Sequence, residues 1–189
     1  MVLRKMELTE KRLNGTEIYH GKVLKLYVDD VALPDGSQSK REVIRHSGAV
    51  CIAPVTKDGD LVFVKQYRYA VGKELLELPA GRIDPNEEPQ KTGERELKEE
   101  TGYTAENTTY IGRLYPTPGY SDEVIWLYAC VVSSERGETN PDDGEIVETV
   151  LIPMETAYRM VLNDELFDSK TQIMILRLKG AIDSHLIEL

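Results

Sequence analysis

The stretch from Gly81 to Tyr103 reads GRIDPNEEPQKTGERELKEETGY, a glycine turn followed by a segment crowded with glutamates. Pro89 suits the first turn of a helix, where its missing N–H leaves no hydrogen bond unmade, and Gly102 suits the left-handed position that ends a helix. These signals predict a helix from about Pro89 to Thr101. The rest of the chain is best understood as the support for this helix.

Three glutamates share one face of the predicted helix. At the helical repeat, Glu96, Glu99 and Glu100 lie together, and such like charges destabilise a helix by roughly a few tenths of a kcal/mol. Carboxylate oxygens suit Mg²⁺ or Mn²⁺, and these ions suit a substrate that carries phosphates. Arg95 is expected to pair with Glu99 one turn on. The alternative is an ordinary solvated face with surface ion pairs.

The spacing of the fixed residues favours a functional site. Five residues separate Gly81 from Glu87, seven more lead to Arg95, and RELKEETGY then runs to Tyr103. This pattern resembles the Nudix box, G-x5-E-x7-R-E-U-x-E-E-x-G-U, in which U is a bulky apolar residue. Every fixed position matches, with Tyr103 in place of an aliphatic residue at the last U. A motif of this length rarely matches by chance.

The resemblance to the Nudix family implies roles for the residues in and beside the box. It implies that Glu96, Glu100 and the Ala80 carbonyl hold the principal Mg²⁺, or Mn²⁺ as a substitute. It also makes Glu99 a candidate for a second metal ion or for catalysis. Residues 79–81 are predicted to form a tight bend, where glycine lets the backbone approach a ligand. The residues implied to orient the cluster are Glu87 and Arg95.

Two segments outside the box resemble the ADP-ribose pyrophosphatase group of this family. Residues 115–123, YPTPGYSDE, resemble a segment of the type S-P-G-x-S-D-E, with Thr117 in place of the usual serine. Pro118 and Arg68, the latter in a Q-x-R segment, are therefore implied to bind substrate. From the residues alone, the first segment could be an ordinary surface loop and Arg68 could belong to a surface ion pair.

An acidic loop from Asn140 to Glu145 precedes a predicted strand from Ile146 to Ile152. Relatives place the general base in such a loop and not in the box. Matching the segment EIVETVLIP to the family pattern makes Glu145 the first candidate and Glu148 the second.

The N-terminal region, residues 1–46, is predicted to be a β-hairpin extension. Residues 1–14 form a short strand or a loose end, residues 17–31 alternate, and a turn at Pro34–Gly36 precedes a second strand. By itself this hairpin is an edge feature. In the resembled family, such strands cross to a partner subunit and help to close the adenosine site. The resemblance therefore implies a homodimer, with Tyr27 as a substrate-binding candidate.

Residues 47–189 are predicted to form the Nudix domain, with the box at 81–103. Two nearly continuous apolar strands, Gly48–Val55 and Leu61–Gln66, indicate a sheet that is covered on both faces. By resemblance, the fold class is an α/β/α sandwich with a mixed sheet. The other predicted elements are strands at 103–114, 124–132 and 146–152 and helices at 154–162 and 170–178.

Composition excludes some classes of partner. The net charge is −10, from 33 acidic and 23 basic residues, which disfavours nucleic acid and anionic membranes. No apolar run of about 18 residues and no signal-peptide core occurs, so we expect a cytoplasmic protein. Cys51 and Cys130 lie in apolar runs and are predicted to be buried, reduced thiols. The three histidines lack metal-ligand spacing.

The box and the Pro118 segment together predict a reaction. The resemblance implies Mg²⁺-dependent hydrolysis of ADP-ribose to AMP and ribose 5-phosphate. One alternative is hydrolysis of another nucleoside diphosphate sugar, such as GDP-mannose. Another is a binding module that senses ADP-ribose without cutting it, although such sensors commonly lose box acids.

Overall fold

The computed structural model describes residues 7–141 and 144–187, which form two compact units. One unit holds the chain up to His46 together with Thr117–Glu123, and the other holds Ser47–Pro116 and the chain from Val124 onward. Two predictions fall partly outside the described residues. They are the loose end, over residues 1–6, and the acidic loop, at Asp142 and Asp143.

The first unit is a three-stranded antiparallel sheet in the order β1-β2-β3. Its strands are β1 (Lys11–His20), β2 (Lys25–Ala32) and β3 (Gln38–Arg45). The predicted hairpin is present as β2 and β3, and Gly36 takes the left-handed conformation in the turn between them, with φ 86°. The single alternating segment predicted over 17–31 is wrong. A turn interrupts it, in which the Gly21 N–H donates to the Leu24 carbonyl, and β1 precedes that turn.

The second unit contains a seven-stranded sheet in the order β10-β5-β4-β9-β8, with β6 beside β5 and β7 beside β4. Among the described strands of this sheet, β4 and β9 pair in parallel and the other pairs are antiparallel, so the sheet is mixed, as predicted. The tight bend predicted at 79–81 is instead the start of strand β7. The strands are β4 (Ala49–Val55), β5 (Asp60–Arg68), β6 (Lys73–Glu77), β7 (Ala80–Arg82), β8 (Ala105–Leu114), β9 (Ile125–Val132) and β10 (Val147–Pro153).

Three helices complete the second unit: α1 (Pro89–Thr101), α2 (Met154–Leu162) and α3 (Ser169–Asp183). The bounds of α1 and α2 agree with the sequence prediction. Asp168 caps α3 by accepting a hydrogen bond from the Thr171 N–H at 2.9 Å. Helix α3 continues beyond its predicted end, and Lys179 pairs with Asp183 in the added turn.

The two faces of the sheet bury different helices. On β4, Val50 and Ile52 pack toward Leu97 of α1, whereas Cys51 and Ala53 belong to the core formed with α2 and α3. This alternation confirms the predicted coverage of both faces and the α/β/α sandwich. Cys51 and Cys130 are buried and free of any disulfide, as predicted. Among the described residues, no helix has the length and apolar character needed to cross a bilayer.

Candidate active site

Helix α1 carries the candidate site and lies close to the sheet. Its C-terminus is formed by Gly102 in the left-handed conformation, with φ 76°, whose N–H donates to the Lys98 carbonyl. Leu97 is fully buried on the sheet side. A Cβ on Gly93 would lie 2.9 Å from Val50, so glycine permits the close approach. Glu96 and Glu100 are thereby held against strand β7.

Arg95 joins three carboxylates of the box. Its Nε lies 3.0 Å from Glu87, and its Nη1 lies 2.9 Å from both Glu96 and Glu99. The Arg95–Glu99 pair predicted from the sequence is present. The hydrogen bond from Arg95 lowers the pKa of Glu87 to about 2, and Thr92 adds a second donor to the same carboxylate. Glu87 therefore stays ionised and holds Arg95 in place.

Glu100 is the buried member of the cluster, with only 4% of its surface exposed. It accepts a hydrogen bond from the Ala80 N–H at 3.2 Å. Burial and the neighbouring charge of Glu96 raise its pKa to about 8, while the charge of Arg68 acts in the opposite direction. Metal-free Glu100 therefore holds a proton at neutral pH.

Glu96 also lies against the strand that begins the box. A Cβ added to Gly81 would lie 2.0 Å from the carboxyl carbon of Glu96, so no larger residue fits without moving that side chain. Ala80, Glu96 and Glu100, which were predicted to share a metal ion, are thus brought together. Glu99 is held at the same cluster through Arg95.

The donor types of this cluster suit a hard divalent cation. Carboxylate oxygens and a backbone carbonyl are the ligands that Mg²⁺ and Mn²⁺ accept, and a cation would stabilise the ionised form of Glu100. Within residues 7–141 and 144–187, no three His, Cys, Asp or Glu side chains are arranged so that they could hold a metal ion. Oxygens of Glu96 and Glu99 contact Arg95. The chemistry of the donors fits a metal ion. To bind it, Glu96 and Glu99 would have to give up their hydrogen bonds to Arg95 and rotate toward the ion.

The two candidate bases occupy different positions around β10. Glu145 is exposed and precedes the strand, and its charge contributes to the raised pKa of Glu100. Glu148 lies opposite Lys65 on β5. It shares a sheet face with Val150 and Ile152, which pack on the α2 and α3 core. Glu148 therefore faces away from α1.

The segment before β10 is attached to the end of α1, which the sequence analysis missed. The Arg136 Nε donates to the Thr101 carbonyl at 2.8 Å, and the Gly137 N–H donates to the Gly102 carbonyl at 2.9 Å. The Asn140 N–H donates to the Glu99 carbonyl at 2.8 Å. These bonds satisfy carbonyls that a helix end leaves without partners. No local pattern signals them, because the donors lie far along the chain.

Arg68 forms an ion pair, the alternative that the sequence analysis left open, but its buried partner Glu77 was not predicted. Its Nε and Nη2 each lie 2.7 Å from an oxygen of Glu77, which is 1% exposed. Lys170 contacts the same carboxylate and lies 3.0 Å from Asp168. The sequence offered one indication of this cluster, which is the charged residue Glu77 within the segment ELLEL.

Tyr27 and Pro118 belong to the first unit and are described within it. The Tyr27 hydroxyl donates to Glu17 at 2.5 Å, and this bond raises the pKa of Tyr27. Pro118 is exposed in a segment whose Tyr120 carbonyl accepts from the Ile44 N–H at 2.7 Å. The structure therefore ties the Pro118 segment to the end of β3.

The sandwich fold and the glutamate-rich helix define the class of this protein, and the NUDIX domain matches residues 44–173, so the chain belongs to the Nudix family. The resemblance drawn from the box is confirmed. The protein is a Nudix hydrolase, an assignment that its relatives support.

Two relatives and one solved structure are similar over most of the chain. ADP-ribose pyrophosphatase of Bacillus subtilis (strain 168) is 41% identical over 181 residues, which cover 94% of this chain and 98% of that protein. The methanol dehydrogenase activator of Bacillus methanolicus is 38% identical over 167 residues, covering 88% and 90%. A crystal structure of an ADP compounds hydrolase superposes with a TM-score of 0.83 at 18% identity, covering 97% of this chain and 98% of that one. This last likeness concerns the fold alone.

Proposed function

We propose that this protein hydrolyses the diphosphate of ADP-ribose to AMP and ribose 5-phosphate. The observation that carries the proposal is the position of Glu96 and Glu100 against the Ala80–Gly81 backbone. All box acids are present, which favours an enzyme over a non-catalytic sensor. The names of the two relatives differ, since one refers to ADP-ribose and the other to activation of a dehydrogenase. The choice of reaction therefore rests on the site residues.

In this proposal, Glu96, Glu100 and the Ala80 carbonyl would hold Mg²⁺, for which Mn²⁺ could substitute, and Glu99 would bind a second ion or assist catalysis. The ion would neutralise the diphosphate and lower the pKa of the attacking water. Arg95 orients Glu96 and Glu99 through its hydrogen bonds to both carboxylates, and ionised Glu87 anchors Arg95.

Glu145 is the proposed general base. Its carboxylate takes a proton from the attacking water, whose oxygen then bonds to one phosphorus of the diphosphate. The bond from that phosphorus to the bridging oxygen breaks, and the bridging oxygen leaves on the second phosphate. The electrostatic influence of Glu145 on Glu100 supports this choice, and the orientation of Glu148 toward the other face makes it the weaker candidate.

Arg68, Tyr27 and Pro118 are the proposed substrate-binding residues. Arg68 is 41% exposed, and its charge acts on Glu100, which supports a position beside the diphosphate. For Tyr27 and Pro118, the support is the resemblance of their segments to the ADP-ribose pyrophosphatase group.

The first unit is proposed to form a homodimer. Strand β1 is the edge strand of the first unit's sheet and exposes large apolar side chains, and an exposed edge of this kind is a surface for a second chain. The side chains with more than half of their surface exposed are Leu13, Ile18 and Tyr19. Sedimentation equilibrium of the wild type and of Ile18→Glu tests this, because a dimer should become a monomer in the variant. A wild-type monomer at micromolar concentration would refute it. The free, buried thiols fit the reducing cytosol, where we place the protein.

Product analysis tests the reaction itself. Purified protein with Mg²⁺ is given ADP-ribose, GDP-mannose, NADH, diadenosine polyphosphates and 8-oxo-dGTP, and Glu100→Gln serves as the inactive control. We expect AMP to form fastest from ADP-ribose. Faster cleavage of another substrate would refute the choice of ADP-ribose while retaining the box chemistry. Binding of ADP-ribose without any cleavage would establish the sensor.

A further inference from the structure

Four side chains of the second unit form an ion cluster with one buried carboxylate at its centre. Glu77, at the end of β6, receives both Nε and Nη2 of Arg68 at 2.7 Å, a bidentate arrangement. Lys170, in the first turn of α3, contacts the same carboxylate and pairs with Asp168 at 3.0 Å. The exposed fractions are 1% for Glu77, 12% for Lys170 and 41% for Arg68.

Stability alone is a weak reason for such a cluster. Taking charges out of water costs free energy that their attraction often fails to recover, and apolar residues of similar size can be as stable. The cluster does provide a fixed orientation. Two parallel hydrogen bonds fix the plane of a guanidinium. A lysine ammonium at the same position is a point charge on a flexible stem and would not be fixed in one orientation.

The orientation matters because Arg68 spans from the buried carboxylate to solvent. Glu77 engages the Nε–Nη2 edge, which leaves the outer Nη1 edge directed away from Glu77. Glu77, which holds Arg68, lies three residues before Ala80, and the Ala80 N–H donates to Glu100 at 3.2 Å, so the cluster lies beside the acidic face of α1. Phosphate oxygens are the acceptors that a guanidinium edge binds best.

We propose that Glu77 and Lys170 are positioning residues that fix the Arg68 guanidinium beside the acidic face of α1, where its outer edge binds a diphosphate oxygen of the substrate. This proposal rests on the proposed function for the identity of the substrate, but it requires only that the ligand contain a diphosphate. Lys170 balances the charge of Glu77, so that Arg68 keeps one edge for the ligand.

The experiment measures binding of inorganic pyrophosphate with Mg²⁺ by calorimetry, using the full chain. Glu77→Gln and Arg68→Lys are each expected to weaken pyrophosphate binding by about tenfold, the loss of one hydrogen bond to a charged group. Glu74→Gln is the matched control, because it removes the exposed Lys65–Glu74 pair from the same hairpin. It should bind pyrophosphate as the wild type does. Unchanged binding in Arg68→Lys overturns the proposal, whatever the natural substrate proves to be.

A double mutant separates positioning from a purely structural role. If Glu77 acts through Arg68, Glu77→Gln should have little further effect in the Arg68→Lys background. Equal losses in both backgrounds would overturn the proposal. With a hydrolysed substrate, we expect the single variants to raise KM while kcat changes by less than about threefold.

Lys170 provides the second test, which does not depend on whether Glu77→Gln folds. Lys170→Gln should weaken pyrophosphate binding, and Lys170→Arg should restore it, because an arginine can still pair with both Glu77 and Asp168. Equal binding by the two variants would remove Lys170 from the proposal. Failure of ADP-ribose hydrolysis would refute the proposed function and leave these binding results unaffected.

Discussion

The guanidinium of Arg136 donates a hydrogen bond from Nε to the carbonyl oxygen of Thr101 at 2.8 Å, which joins the segment before β10 to the last turn of α1. A second bond from the same side chain reaches the Thr149 hydroxyl at 3.0 Å. Arg136 therefore connects the helix that carries the box acids, the strand β10 and the segment that leads to Glu145.

Replacement of Arg136 should lower turnover more than substrate affinity. In Arg136→Ala, the segment loses its side-chain bonds to α1 and β10, so Glu145 is held less firmly. We expect kcat to fall by about tenfold, with KM nearly unchanged and a loss of about 1 kcal/mol in the free energy of unfolding. Steady-state kinetics and urea unfolding measure both effects. Glu138→Gln, in the same segment, is the control. A wild-type kcat in Arg136→Ala would show that the attachment has no catalytic role.

The two candidate bases can be separated by parallel substitutions. Glu145→Gln should reduce kcat by about 10²-fold or more, while Mn²⁺ affinity stays within about threefold, because a base acts on the water and not on the ion. Glu148→Gln should behave as the wild type, since Glu148 faces away from α1. Kinetics and direct Mn²⁺ titration measure the difference. The reverse result would make Glu148 the base, and normal rates in both variants would exclude both residues.

The pKa of Glu100 predicts how stability depends on pH in the absence of metal. The folded-state pKa is raised from 4.5 to about 8, so between these values the folded chain holds a proton that the unfolded chain lacks. The free energy of unfolding contributed by Glu100 should therefore fall as pH rises from about 4.5 to 8. Glu100→Gln removes this dependence and should abolish hydrolysis.

Thermal unfolding of both proteins with EDTA from pH 5 to pH 9 measures the effect. The unfolding temperature of Glu100→Gln, relative to that of the wild type, should increase as pH rises. Parallel curves for the two proteins would mean that Glu100 ionises normally. Hydrolysis at the full rate by Glu100→Gln would remove this residue from the mechanism.

Gly81→Ala should impair metal binding while the fold is retained. The added Cβ would lie 2.0 Å from the carboxyl carbon of Glu96, and because that side chain is flexible, it can move away. We expect Mn²⁺ affinity to fall by about tenfold or more, with a stability loss of about 1 kcal/mol. Gly180→Ala is the control, since its Cβ would meet open space on α3. This control should be slightly stabilised. If Gly81→Ala binds Mn²⁺ as tightly as the wild type does, Glu96 is not a ligand of the metal ion.

Local signals predicted most of the fold. Pro89 and Gly102 mark the ends of α1, and the apolar residues of β4 alternate between two cores, so both features could be inferred from short stretches. The same approach failed at the turn after Gly21, because the flanking residues continue a strand-like alternation. It also ended α3 too early.

The site was predictable only where its residues lie in one motif. The Arg95–Glu99 pair and the shared face of Glu96, Glu99 and Glu100 follow from helical spacing. The contact of Lys170 with Glu77 joins β6 to α3, and the bond from Arg136 joins two distant segments. Such contacts depend on how elements pack, which a pattern in a single sequence does not encode.

The parallel pairing of β4 with β9 also has a consequence for folding kinetics. Ala49 pairs with Ile125 across the whole of the box segment, so a long loop must close before β4 becomes a central strand. Helical turns form quickly because they need only local contacts, but α1 acquires the packing surface that stabilises it only after that closure. During refolding from urea, the helical circular dichroism signal should therefore recover before hydrolytic activity.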